Sequence, residues 1–147
     1  MTEIEDRLAI YDLIARYAVL VDAGEFDALT ELFTPDAVIN FSAFSGPVGD
    51  PATIKEFLAS TLPMFARTQH MMGLPLVNLA GDTATARTSC TNPMVMSHGD
   101  DKTGVWLIGL WYDDEFRRTS DGWRFTARNQ VRCYSVTGLT DTPLSAT

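Results

Sequence analysis

At 147 residues the chain is the size of one domain, long enough to bury roughly two thirds of its unfolded surface around a core. Nineteen acidic residues against eleven Lys and Arg give a formal charge of −8, which argues against nucleic acid or an anionic membrane surface as a partner. The 46% hydrophobic and 20% charged composition is that of an ordinary globule, and no apolar run approaches the ~20 residues of a membrane span.

Residues 2 to about 22 read as an amphipathic helix. Thr2 and Glu5 have the spacing of a capping box. Ile4, Leu8, Tyr11, Ile14, Ala18 and Val21 form one apolar stripe, and Ile10, Leu13, Tyr17 and Leu20 an adjacent one. Gly24 suits the positive φ of a helix stop. The acidic opening MTEIEDRLAIYDL is not a secretory leader, so a cytoplasmic location is expected, with Cys90 and Cys133 reduced and buried in strands.

Glu25–Phe33 reads as a second helix, ended by Thr34-Pro35-Asp36, and Ala37–Phe41 as a short strand. After a loop over 42–50, Asp50-Pro51 caps a third helix running to about Phe65, with Pro63 kinking or ending it. From Thr68 the apolar period falls to two, giving strands at about 68–79, 83–97, 104–118 and 123–136. Ala84, Ala86, Thr88, Cys90 and Asn92 put small residues on one face of the second strand. Trp106, Ile108, Leu110 and Tyr112 share one face of the third. Val105, Leu107, Gly109 and Trp111 share the other, which suggests a partner subunit outside. The polar loop 97–102 holds a solvated His98, and 138–147 reads as a loose tail after a domain spanning 1–137.

Helices followed by a long meander make the class α+β: a curved, mostly antiparallel sheet wrapped around three N-terminal helices, with a cavity at its open end.

Three groups have chemical potential. His70 stands among Met71, Met72, Leu74, Leu76 and Val77, and a histidine in an apolar pocket is a general base at neutral pH. Asp22, where the first helix ends, is placed to fix its tautomer, and Tyr17 points its hydroxyl toward the same cavity. Each also has a plain structural reading: a buried hydrogen-bonding histidine, a helix-end turn former and a core aromatic. No HxxxH or CxxC spacing supports a metal, no glycine-rich loop supports a nucleotide, and no cofactor is expected. Arg124, Arg128 and Arg132 alternate on a face opposite Trp123 and Phe125, read as solvated or as an interface. A bulge near Asn129 would turn Arg132 inward toward an anionic substrate.

The stretches IYDLIARYAVLVDAGEFDALTELFTPDAV (10–38), RTQHMMG (67–73) and DGWRFTAR (121–128) resemble the SnoaL-like branch of the NTF2-like superfamily, near scytalone dehydratase and bile acid 7α-dehydratase. That resemblance implies a cone-shaped α+β barrel, commonly a homodimer or homotrimer. It implies a catalytic Tyr17, Asp22 and His70, and a cofactor-free lyase of the dehydratase type acting on a small apolar molecule: steroid-like, polyketide-like or aromatic. Phe41, Met72, Asn92, Met94, Trp106 and Arg132 are the expected substrate contacts. The second histidine that scytalone dehydratase carries after a proline is absent, since Met94 follows Pro93. An isomerase or cyclase is the nearest variant. A non-catalytic carrier or oxygenase small-subunit-like module is the alternative of another kind.

Overall fold

The computed structural model describes residues 2–98 and 102–140. Helix α1 spans Glu3–Ala23, α2 Phe26–Thr30 and α3 Pro51–Thr61. The strands are β1 Phe33–Asn40, β2 Val48–Gly49, β3 Arg67–Thr68, β4 Met71–Met72, β5 Leu76–Ala80, β6 Thr83–His98, β7 Lys102–Thr119 and β8 Gly122–Thr140. They form one curved sheet in the order β2-β1-β8-β7-β6-β3, with β4 and β5 also on β6. All pairings are antiparallel except β1 with β8. This is the expected α+β cone.

Local signals act as read at the helix ends. Thr2 and Glu5 close a capping box on α1, Gly24 stops it at φ 72°, and Asp50 caps α3 through the Thr53 N–H. Pro63 ends α3 in a single 3₁₀ turn, Leu62–Met64. The buried stripe of α1 differs in part from the expected one. Ile10, Leu13, Ile14, Tyr17, Ala18 and Val21 face the sheet, while Ile4 and Leu8 are exposed. Asp6 continues the buried stripe toward the N-terminus, held there by Arg118 at 2.6 and 2.7 Å and by the Trp123 indole at 3.0 Å.

Other elements depart from the periodicity. Helix α2 stops at Thr30, and β1 starts at Phe33, running through Pro35. Pro35 falls where the β1–β8 register is irregular, between Phe33 and Val38, so its missing N–H breaks no regular ladder. The 68–79 run is three short strands, interrupted at Gln69-His70 and at Gly73–Pro75. Pro93 of β6 lies opposite the first gap and accepts from the Gln69 N–H at 3.3 Å. A residue's N–H and C=O point to the same neighbour, so the donor Pro93 lacks falls on this side. In the second gap, Gly73 approaches β6 so closely that a Cβ would lie 2.2 Å from Ser89 Oγ.

The arginine face is a correction. The β7–β8 register shifts at Thr126, between the Glu115–Ala127 and Phe116–Phe125 pairs. That bulge turns Arg128 onto the face of Phe125, and Arg128 is fully buried rather than solvated. A second shift, between Gly109 and Leu110, leaves Cys133 unpaired on β8. Cys133 is exposed, against the expectation of burial, whereas Cys90 is buried. Strand β8 continues to Thr140, into the stretch read as tail; residues 141–147 lie outside the described residues, as do 99–101 of the polar loop and the His98 side chain. Among the described residues no helix is long and apolar enough to cross a membrane.

Candidate active site

Asp22 occupies the last turn of α1, beside the gap between β3 and β4. Its Oδ1 lies 2.7 Å from Nδ1 of His70 and accepts from Thr68 Oγ1 at 2.8 Å. Its Oδ2 accepts the His70 backbone N–H at 2.7 Å. At this break the His70 N–H, which points away from β6, is bound by the same carboxylate that orients the ring. Burial raises the Asp22 pKa, but the His70 ring, its charge and N–H, and the Thr68 hydroxyl outweigh burial, so the carboxyl titrates below its ordinary value.

With an ionised Asp22 at Nδ1, the neutral imidazole carries its proton there and presents a lone pair at Nε2. Asn92 of β6 places Nδ2 3.1 Å from Nε2. The negative end of the α1 macrodipole lies beside the pair.

His70 and Asn92 line a cavity of about 110 Å³ at the open end of the cone. Its walls are Phe41, Phe44, Phe57, Phe65, Met94 and Trp106, and its deep end carries Tyr17, Tyr112 and Gln130. The Tyr17 ring meets the His70 ring edge-on with centroids 6.3 Å apart. Its hydroxyl makes a polar contact with Tyr112, and burial raises the pKa of both phenols.

Beneath these tyrosines lies a buried ion pair. Arg128 donates to both Asp114 oxygens at 2.8 Å, and its Cζ sits 3.9 Å from the Tyr17 ring centroid and 4.0 Å from that of Tyr112. With the Phe125 ring centroid at 4.5 Å, three cation–π contacts and a bidentate carboxylate compensate a guanidinium that could not otherwise leave water.

The expected residues are distributed as follows. Tyr17, His70, Phe41, Asn92, Met94 and Trp106 line the cavity, and Asp22 supports His70 from behind. Met72 does not line it; paired with Cys90, two rungs from Asn92 along β6, it packs on the core instead. Arg132 is exposed, its Cζ 5.5 Å from the ring centroid of Phe44 at the cavity wall. Tyr112, Gln130, Phe44, Phe57 and Phe65 were not foreseen as lining. Tyr112 shares the face of Trp106, the signal that would have found it; Gln130 required knowing the Thr126 bulge. Among the described residues no three His, Cys, Asp or Glu side chains gather to hold a metal.

The SnoaL-like domain family matches residues 2–129. An uncharacterised protein of Mycobacterium tuberculosis is 42% identical over 134 residues, covering 91% of this chain and 90% of its own. Among solved structures, the Kfla4162 protein of Kribbella flavida superposes with TM-score 0.84 at 26% identity, covering 92% of this chain and 95% of that one. Two others carry the likeness of fold. A scytalone dehydratase-like protein of Novosphingobium aromaticivorans has TM-score 0.77, 16% identity and coverage of 97% and 91%. A hexachlorocyclohexane dehydrochlorinase of Novosphingobium barchaimii has TM-score 0.78, 18% identity and coverage of 91% and 90%. Matched over nearly all of its described length, the chain belongs to the SnoaL-like domain family, within the NTF2-like fold.

Proposed function

We propose that the protein is a cofactor-free lyase of the dehydratase type, acting on a hydroxylated ring held in the aromatic cavity. The carrying observation is the pairing of Asp22 with His70 at 2.7 Å, which puts the Nε2 lone pair beside the cavity, where Asn92 Nδ2 holds it at 3.1 Å until the substrate C–H takes that place. In this reading Nε2 removes a proton from the carbon next to a carbonyl. The electron pair of that C–H bond moves onto the carbonyl oxygen as an enolate, then returns to form the new C=C bond as the neighbouring C–O bond breaks. Asp22 stabilises the imidazolium so formed. Burial makes a tyrosinate costly at Tyr17, so that phenol acts as a hydrogen-bond donor to the developing oxyanion rather than as a full acid. The departing hydroxyl takes the proton that His70 has just gained, so water leaves and the base is restored.

Two structural neighbours named for eliminations, a dehydratase and a dehydrochlorinase, support the reaction class by analogy of fold. An isomerase with the same base would return the proton to another carbon and keep the oxygen, so water loss separates the two. The reading includes a homo-oligomer joined through the outer face of β7 and β8, where Tyr134 and Val136 are exposed; sedimentation equilibrium tests this separately.

Screening hydroxylated cyclic ketones and phenols by mass spectrometry for water loss tests the assignment. Turnover by wild type, lost in His70→Ala and Asp22→Asn with circular dichroism unchanged, is the expected result. Turnover retained in His70→Ala would contradict it.

A further inference from the structure

Two oxygen atoms at the cavity are unaccounted for by the fold. Asn92 is 2% exposed and lines the cavity. Since Asp22 holds the proton on Nδ1 of His70, only the NH₂ end of the Asn92 amide matches the lone pair at Nε2. The carbonyl end is therefore turned away from the ring, and Oδ1 is buried with no hydrogen-bond partner. Gln130, reaching in from β8, lines the same cavity, and its Oε1 is also buried without a partner. An amide carbonyl stripped of water and left without a donor is destabilising, and native structures rarely retain one without a use for it.

Both free atoms are acceptors, and the walls around them are aromatic. The cavity volume, about 110 Å³, is on the scale that admits a single benzene ring. We infer that the substrate is a neutral, single-ring molecule carrying two hydroxyl or N–H donors, one received by Asn92 Oδ1 and the other by Gln130 Oε1. This builds on the lyase reading for what happens after binding; the recognition stands on the two carbonyls alone. An anion would meet two carbonyl dipoles and the Asp22 carboxylate. An ether of the same shape brings no donor and leaves both carbonyls unpaired, the kind of mismatch a site discriminates against most strongly.

Isothermal titration of the full chain with catechol and resorcinol, and with the mono- and dimethyl ethers of each, tests the assignment. One of the two diols is expected to bind about tenfold or more tightly than its dimethyl ether, with the monoether between. Gln130→Leu should reduce that diol to the affinity of its monoether. Equal affinity across both wild-type series, as when ordered water alone satisfies the carbonyls, overturns the inference without any variant having to fold. A diol preference that survives both Gln130→Leu and Asn92→Leu also overturns it. The two readings fail separately. Diol-selective binding without water loss from any ring removes the lyase and leaves the recognition. Water loss from rings whose only donor is the departing hydroxyl, at undiminished kcat/KM, removes the recognition and leaves the lyase.

Discussion

Asp22 grips His70 at two points, accepting at Oδ1 from the ring Nδ1 and at Oδ2 from the backbone N–H, each at 2.7 Å. Side chain and main chain of the histidine are fixed by one carboxylate, which leaves the ring a single tautomer and a single direction. Nitrogen-15 NMR of the imidazole at pH 8 should show the Nδ1–H tautomer in wild type and a tautomer mixture in Asp22→Ala. The same substitution leaves a backbone N–H and Thr68 Oγ1 without their acceptor, and should cost about 1–3 kcal/mol in urea unfolding.

Arg128 and Asp114 form a buried pair that cannot lose one member cheaply. Arg128→Met should destabilise by about 3–5 kcal/mol, because Asp114 is left buried and unpaired. The double variant Arg128→Met/Asp114→Leu should recover most of that. Equilibrium unfolding of the two variants checks it; equal losses in both would show that packing against the tyrosines, rather than charge, carries the cost.

Acid should weaken the fold through Asp6. Two hydrogen bonds from Arg118, then the Trp123 indole, hold its pKa at about 2, down from 3.8. A depressed folded pKa means a contribution fully present above the unfolded value and lost as pH falls through the folded one. Stability should therefore decline from about pH 4 toward pH 2. The Asp22 carboxyl, also held below its ordinary value, adds in the same direction. Asp6→Asn should be less stable at neutral pH and show a flatter acid limb in urea titrations; an unchanged limb would remove Asp6 from the account.

The two cysteines should react very differently. Burial pushes the Cys90 thiol up to about 12, while the β8 bulge exposes Cys133. A disulfide reagent at pH 8 should label one thiol per folded chain, and peptide mapping should find it at Cys133. Rapid labelling of Cys90 in the folded protein would contradict the packing of β6.

What was legible in advance follows from how local each signal is. The capping box at Thr2, the stop at Gly24 and the cap at Asp50 depend on residues a few positions away, and all three formed as read. The alternation of Ala84 through Asn92 reports a face of one strand and holds along β6. The bulge at Thr126 has no glycine or proline to announce it, so Arg128 was assigned to solvent by a parity rule that the bulge reverses. The break at His70 was hidden for a different reason: its cause, Pro93, lies on another strand. The cavity walls Phe44, Phe57 and Phe65 come from three separate segments between Ser42 and Ala66, and only the closed cone brings them onto one hollow.

The central claim is that Nε2 of His70 takes a proton from a carbon held in the cavity. Proton NMR in D₂O of cyclic β-hydroxy ketones incubated with the protein measures that step by itself, whether or not water is then lost. The account predicts deuterium incorporation next to the carbonyl with wild type and none above background with His70→Ala of unchanged fold. Incorporation at equal rates with both proteins would contradict it.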